Sequence, residues 1–193
     1  MDADVAGANG EQRLYRLTYD GGDGRVTLRV VLRTAGGERF QIAASDLVGR
    51  RVSGLDYNGD RSVLVDYRRR TYCIAGSELR LPAVHPELLP LSALPRVLDG
   101  QLPVAPAPGQ SATEFVDRGG RRWLASYDGD ELTAWTLFDS DGPAVWWSAQ
   151  KGGGILSQRG GAQYRWVLSV AEVTREPLAE IIPEEFAQGA CPE

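Results

Sequence analysis

His85-Pro86-Glu87-Leu88-Leu89-Pro90-Leu91-Ser92-Ala93-Leu94-Pro95-Arg96-Val97-Leu98-Asp99-Gly100-Gln101-Leu102-Pro103 is the one stretch with helical spacing in a chain of strand-like segments. Leu91, Leu94, Val97 and Leu98 recur three and four residues apart, and Gly100 follows as a stop signal. This spacing predicts a helical insertion near 85–100 with one apolar face to bury. Strand-like sequence on both sides makes a sheet its natural partner. The expected fold is therefore mainly β: a curved antiparallel sheet, an open half-barrel of about eleven strands, with the helix covering its concave face.

The strands before the helix follow from alternation. Val26, Leu28, Val30 and Leu32 alternate with Arg25, Thr27, Arg29 and Arg33, which gives one oily and one charged face. Tyr15, Leu17 and Tyr19 share a face in the strand before it, and Phe40, Ile42 and Ala44 continue the apolar side after the next turn. Asn58-Gly59 is a strong hairpin signal between segments 51–57 and 61–67. Ser45-Asp46-Leu47-Val48-Gly49 places two aliphatic residues in a turn. Leu47 and Val48 either fold back on the sheet edge or form an exposed apolar tip that inserts into a membrane or meets an acyl chain. The triplet Arg68-Arg69-Arg70 is either a solvated turn or a small anion-binding patch.

After the proline-rich run 104–110, strands resume at 113–117, 122–127, 131–138, 145–151 and 163–173. All five tryptophans fall here: Trp123, Trp135, Trp146, Trp147 and Trp166. Trp123, Trp147 and Trp166, turned inward with Tyr127, Tyr164 and Leu168, make an aromatic layer that serves either as core or as the wall of a cavity. Lys151-Gly152-Gly153-Gly154 and Arg159-Gly160-Gly161 lack the strand-to-helix context of a phosphate loop and read as hairpin turns.

Composition narrows the function. The chain has 193 residues and a formal charge of −5, with Lys151 as its only lysine, which argues against a nucleic-acid surface. Residues 1–12 read as a flexible tether, 13–175 as a single domain and 176–193 as an acidic tail. The first ten residues lack the basic and apolar regions of a secretion signal. A natural cytosolic chain and one that has lost a signal and anchor begin alike. Cys73 and Cys191 fit one disulfide outside the cytosol or two inert thiols inside it. His85 is the only histidine, and no His, Cys, Asp and Glu spacing suits a metal, so the expectation is a non-enzyme without a cofactor.

Two stretches resemble the LolA/LolB family of lipoprotein carriers and receptors of the bacterial envelope, more closely its LolB side. Ser45-Asp46-Leu47-Val48-Gly49, leading into 52–60, is similar to the family's Pro-Leu-Gly turn, apolar strand and hairpin. Residues 89–103 are similar to its Pro-x-x-x-Leu-x-x-Trp-Leu-x-Gly-x-Pro helix, with Val97 in place of the tryptophan. The resemblance implies an open half-barrel whose helices cover a hydrophobic cavity that accepts acyl chains. For the receptor branch it also implies a periplasmic protein held at the outer membrane by an N-terminal lipid anchor.

The expected cavity lining is Leu28, Val30, Leu32, Phe40, Ile42, Leu94, Leu98, Trp123, Trp147 and Trp166, with Leu47 and Val48 as the insertion tip. The expected partner is a lipid or the acyl chain of a lipoprotein. The rival reading is a structural or adaptor lipoprotein that binds an envelope protein through a sheet edge or through tryptophans exposed as a patch.

Overall fold

A computed structural model describes residues 10–22, 24–35, 39–76, 89–174, 178 and 181–191. His85, its approach from residue 77, and residues 1–9 of the expected tether lie outside the described residues. The first six strands are β1 (Gly10–Gly21), β2 (Gly24–Ala35), β3 (Arg39–Ser45), β4 (Arg51–Tyr57), β5 (Arg61–Asp66) and β6 (Thr71–Gly76). After the short helix α1 (Leu94–Leu98) come β7 (Glu114–Val116), β8 (Arg122–Asp128), β9 (Glu131–Asp139) and β10 (Gly142–Gln150). The chain ends with β11 (Gly153–Gln158), β12 (Gln163–Thr174) and β13 (Ala187–Gln188).

These thirteen strands form one open sheet, in the order β13-β6-β5-β4-β3-β2-β1-β12-β11-β10-β9-β8-β7. Antiparallel registers join β2 through β6 and β7 through β12, while β13 adds parallel to β6. The fold is thus mainly β, with a single short helix among the described residues. Two strands exceed the sequence expectation. β11 lies between two glycine-rich turns, and β13 is a two-residue edge in the expected tail.

Contacts group the described chain into two compact units. One takes β3–β6, β13 and residues 10–16, 28–35 and 168–174 of β1, β2 and β12; the other takes α1, β7–β11 and the remainder of those three strands. In the first unit, register puts Leu32, Ile42, Leu55, Leu64 and Cys73 side by side on one face. Phe40 and Tyr57 pair on the same face, with ring centroids 5.0 Å apart.

On the other face, Gly54 has no side chain to displace Tyr67 and Ile181, whose atoms come within 3.4 and 3.5 Å of where a Cβ would stand. From there the segment to Cys191 runs to the β6 edge, where several contacts hold it and the disulfide reaches Cys73 on the opposite face. Phe186 meets Tyr67 edge-on at 5.6 Å, β13 pairs with β6, and a Cys73–Cys191 disulfide joins Cα atoms 5.2 Å apart.

In the second unit the middle of one face of β7–β12 is buried. Phe115, Trp123, Trp135, Trp147 and Trp166 lie on it, each no more than 3% exposed. The rings form a ladder across the strands: Phe115 stacks on Trp123 at 6.1 Å, Trp123 tilts against Trp135 at 5.5 Å, and Trp135 stacks on Trp147 at 6.4 Å. Gly154 makes the next rung possible, since a Cβ there would run into Trp147 Nε1 and the Trp166 ring.

The helix is shorter than its spacing predicts. A 3₁₀ turn, Leu91–Ala93, runs into α1, and residues 89 and 90 are not helical. Pro90 sits in extended conformation at the start, and Pro95 occupies the first turn of α1. So short a helix is unstable alone and depends on packing, supplied here by buried Leu91, Ala93 and Val97. Gly100, at φ +70°, ends it in a Schellman motif: Gly100 N–H donates to Val97 O at 3.0 Å and Gln101 N–H to Arg96 O at 2.8 Å. The Trp166 indole donates to Leu98 O at 2.9 Å and ties the helix end to the aromatic ladder.

Candidate functional site

The β3–β4 turn is built around Asp46. Its Oδ1 accepts the backbone N–H of Val48 at 3.1 Å and of Arg50 at 2.9 Å, while Oδ2 accepts Arg50 Nε at 2.7 Å. Asp46 N–H donates to Arg50 O, Gly49 N–H donates to Asp46 O, and Gly49 takes φ +89°. The apex therefore has a fixed backbone. It carries Leu47, 48% exposed, and Val48, 77% exposed, so neither folds back into the core.

The same turn occurs a second time, before β8. Asp117 Oδ1 accepts Gly119 N–H at 2.8 Å and Arg121 N–H at 3.0 Å, and Oδ2 accepts Arg121 Nε at 2.9 Å. Asp117 N–H donates to Arg121 O, Gly120 N–H donates to Asp117 O, and Gly120 takes φ +79°. Asp46-Leu-Val-Gly-Arg50 and Asp117-Arg-Gly-Gly-Arg121 share every one of these bonds and differ at the apex. In both turns desolvation pushes the aspartate pKa up and is outweighed, so each carboxyl lies below its ordinary value. For Asp46 the Arg50 side chain and backbone do this, and for Asp117 the Trp123 indole and Arg121.

The expected lining residues fall into two sets. Leu28, Val30, Leu32 and Phe40 share the apolar face of the first unit and are at most 9% exposed, with Ile42 half-buried beside them. Leu94 and Leu98 are half-buried in the second unit, where Trp123, Trp147 and Trp166 are 0–2% exposed. Tyr164 joins the ladder face, but Tyr127 and Leu168 are not buried with it. A bulge between Ser126 and Tyr127 shifts the β8 register, and Tyr127 stays 37% exposed. The pairing of β11 to β12 ends at Gly153 and Val167, and Leu168, just beyond it, is 39% exposed. Val26, at the start of the apolar alternation in β2, is likewise exposed.

Trp135 and Phe115 belong to the ladder without being expected there. A second bulge, between Pro143 and Val145, sets Trp135 opposite Trp147; an unbroken register from the Asp139–Gly142 pair would set it opposite Trp146. The buried indole N–H groups of Trp135 and Trp147 have no acceptor among the described residues.

A separate cavity of about 180 Å³ lies in the first unit, lined by Arg39, Asp56, Arg61, Val63, Ile181 and Ile182 among others. Asp56 accepts from Gln41 at 2.8 Å and faces Arg39 at 3.7 Å. The cavity mixes charged and aliphatic side chains and is smaller than the roughly 300–1,000 Å³ of typical ligand pockets, so it is a poor seat for an acyl chain. No group of three or more potential metal-ligating side chains occurs among the described residues. Among them, too, no helix is long and apolar enough to cross a membrane.

No family profile and no curated protein sequence matches the chain. Solved structures do match in fold. A LolA superfamily protein from Nitrosomonas europaea superposes with a TM-score of 0.56 at 10% identity, covering 90% of this chain and 89% of the other. A putative outer membrane lipoprotein-sorting protein domain from Vibrio parahaemolyticus gives 0.53 at 8% identity, with 85% of each chain covered. A DUF1329 family protein from Desulfovibrio piger gives 0.55 at 10% identity over 88% and 87%. The class these structures define is the LolA-like fold, and this chain has it.

Proposed function

We propose that the protein is a non-enzymatic component of the bacterial envelope that binds a lipid, or the acyl chain of a lipoprotein, and meets the membrane through Leu47 and Val48. The observation that carries this reading is the pair of exposed aliphatic side chains on a turn whose twin, with Arg118 and Gly119 at its apex, folds the same way. Turn geometry accounts for Asp46, Gly49 and Arg50 and leaves the apolar apex unexplained. Each such side chain left in water forgoes about 1.5–3 kcal/mol of burial, so a second state that buries it is the physical reason to keep it.

The acyl chain would lie against the face of the first unit that carries Leu28, Val30, Leu32, Phe40 and Ile42. Most of these side chains are buried in the described state, so entry requires the packing over them to open. The LolA-like fold supports a carrier or receptor role, and with it a place in the periplasm at the outer membrane. Four of the five tryptophans are 0–2% exposed and only Trp146, at 41%, reaches the surface. A single exposed tryptophan gives little support to an adaptor that docks a protein on a tryptophan patch. Native mass spectrometry of the protein purified from bacterial envelopes tests the binding reading. A stoichiometric acyl-bearing ligand, lost on delipidation, is expected; apo-protein alone, after incubation with lipids and lipoproteins, contradicts it.

A further inference from the structure

The apolar turn stands among arginines. Register places the β5–β6 turn at the same end of the first unit as the β3–β4 turn, since Ser45 pairs with Arg51, Ser53 with Asp66 and Asp66 with Thr71. Tyr67 N–H donates to Val52 O, and the Arg51 guanidinium lies 5.5 Å from the Tyr67 ring centroid, which links the two turns directly. Arg68, Arg69 and Arg70 are all exposed.

Acids are present, but their placement is unequal. Asp46 and Asp66 turn their carboxylates inward to accept backbone N–H groups of their own turns, from Val48 and Arg50 and from Arg68 and Arg69. Asp46 Oδ2 also pairs with Arg50 Nε at 2.7 Å and Asp66 Oδ2 with Arg69 Nε at 3.7 Å. Yet the two acid side chains are 18% and 40% exposed against 81% for Arg50 and 82% for Arg69, so both guanidinium groups still face solvent. Glu185 faces Arg70 at 3.8 Å and is itself exposed. The outward charge at this end is therefore basic, in a chain of net charge −5.

We propose that Arg50, Arg51, Arg68 and Arg69 form a basic collar that selects anionic lipid headgroups, so that the turn carrying Leu47 and Val48 docks on an acidic membrane leaflet rather than on any bilayer. This rests on the membrane-contact reading above and adds the lipid class. An aliphatic tip supplies affinity for hydrocarbon without regard to headgroup, whereas guanidinium groups held at headgroup level pair with phosphate and respond to surface charge. Arg68 and Arg69 are the residues to change, because Asp66 holds their backbone N–H groups whatever side chains they carry.

The test is co-sedimentation of the full chain with vesicles of phosphatidylcholine alone and of phosphatidylcholine with phosphatidylglycerol at three to one, at low and high salt. Tighter binding to the anionic vesicles is expected, weakened by salt. The Arg68→Gln, Arg69→Gln double variant, checked by its melting curve, should lose about fivefold per arginine on anionic vesicles and nothing on neutral ones. Equal wild-type binding to both vesicles, or a double variant that matches wild type on anionic vesicles, overturns the collar and leaves the tip standing. Binding to neither vesicle overturns the tip reading itself, and the collar with it.

Discussion

The Asp46 and Asp117 turns use the same five-residue frame and put it to different use. At Asp117 the apex is Arg118-Gly119, and the aspartate reaches inward to accept the Trp123 indole at 3.0 Å, so the turn is fastened to the aromatic ladder. At Asp46 the apex is Leu47-Val48, and the aspartate's side-chain bonds are those within its own turn. Because the frame folds with either apex, the aliphatic pair is not there to make the turn. Asp46, Gly49 and Arg50 meet what the fold demands, and Leu47 and Val48 are left for function to explain.

The harshest ways to break this comparison act on what holds each turn. The disulfide crosslinks residues 118 apart in the unit that bears the Asp46 turn. In the chain-entropy model, Cys73→Ala with Cys191→Ala should destabilise the protein by about 5 kcal/mol, read by denaturant unfolding. A change below about 1 kcal/mol would mean that the region bearing the tip does not depend on the crosslink. In the other unit Trp135→Ala removes a central rung whose indole has no acceptor among the described residues, so the loss is one of packing, about 3–5 kcal/mol. A near-neutral result would show that the ladder is not close-packed and has room for a ligand.

A gentler probe compares the aspartates by pH. Asp117's pKa is depressed on folding, so its stabilisation is present above the ordinary carboxylate value and is lost as pH falls through the folded one. Asp117→Asn should cost about 1–2 kcal/mol at neutral pH and flatten the acid limb of the stability curve. An unchanged acid limb in that variant would show that the Trp123 and Arg121 bonds do not couple this turn to folding.

Much of this architecture is legible in the sequence because alternation is a strong signal. Leu28, Val30 and Leu32 against Arg29 and Arg33 define β2, and Asn58-Gly59 locates a hairpin. What is not legible depends on events that alternation does not encode. Ile155-Leu156-Ser157-Gln158, flanked by glycines, offers no alternation, yet its backbone pairs on both sides as β11. The bulge at Pro143–Val145 decides which tryptophan faces Trp135, and the bulge at Tyr127 turns that ring outward. Proline at 90 and 95 trims a helix whose apolar spacing continues beyond it. The aliphatic tip is visible in the sequence as two residues in a turn, but its exposure and its twin follow from backbone bonds to Asp46 and Asp117 that residue type alone does not display.

The smallest expected change in stability accompanies the most direct test. Leu47→Arg with Val48→Gly gives the Asp46 turn the apex its twin already carries, and zwitterionic phosphatidylcholine vesicles keep the added charge from compensating. Thermal denaturation should differ from wild type by less than about 0.5 kcal/mol, since both positions are surface sites on a frame known to accept these residues. Vesicle association should fall at least about tenfold, as the burial of two aliphatic side chains is lost. A lowered melting temperature, with membrane association per folded molecule unchanged, would contradict the claim that Leu47 and Val48 are held out to meet a membrane.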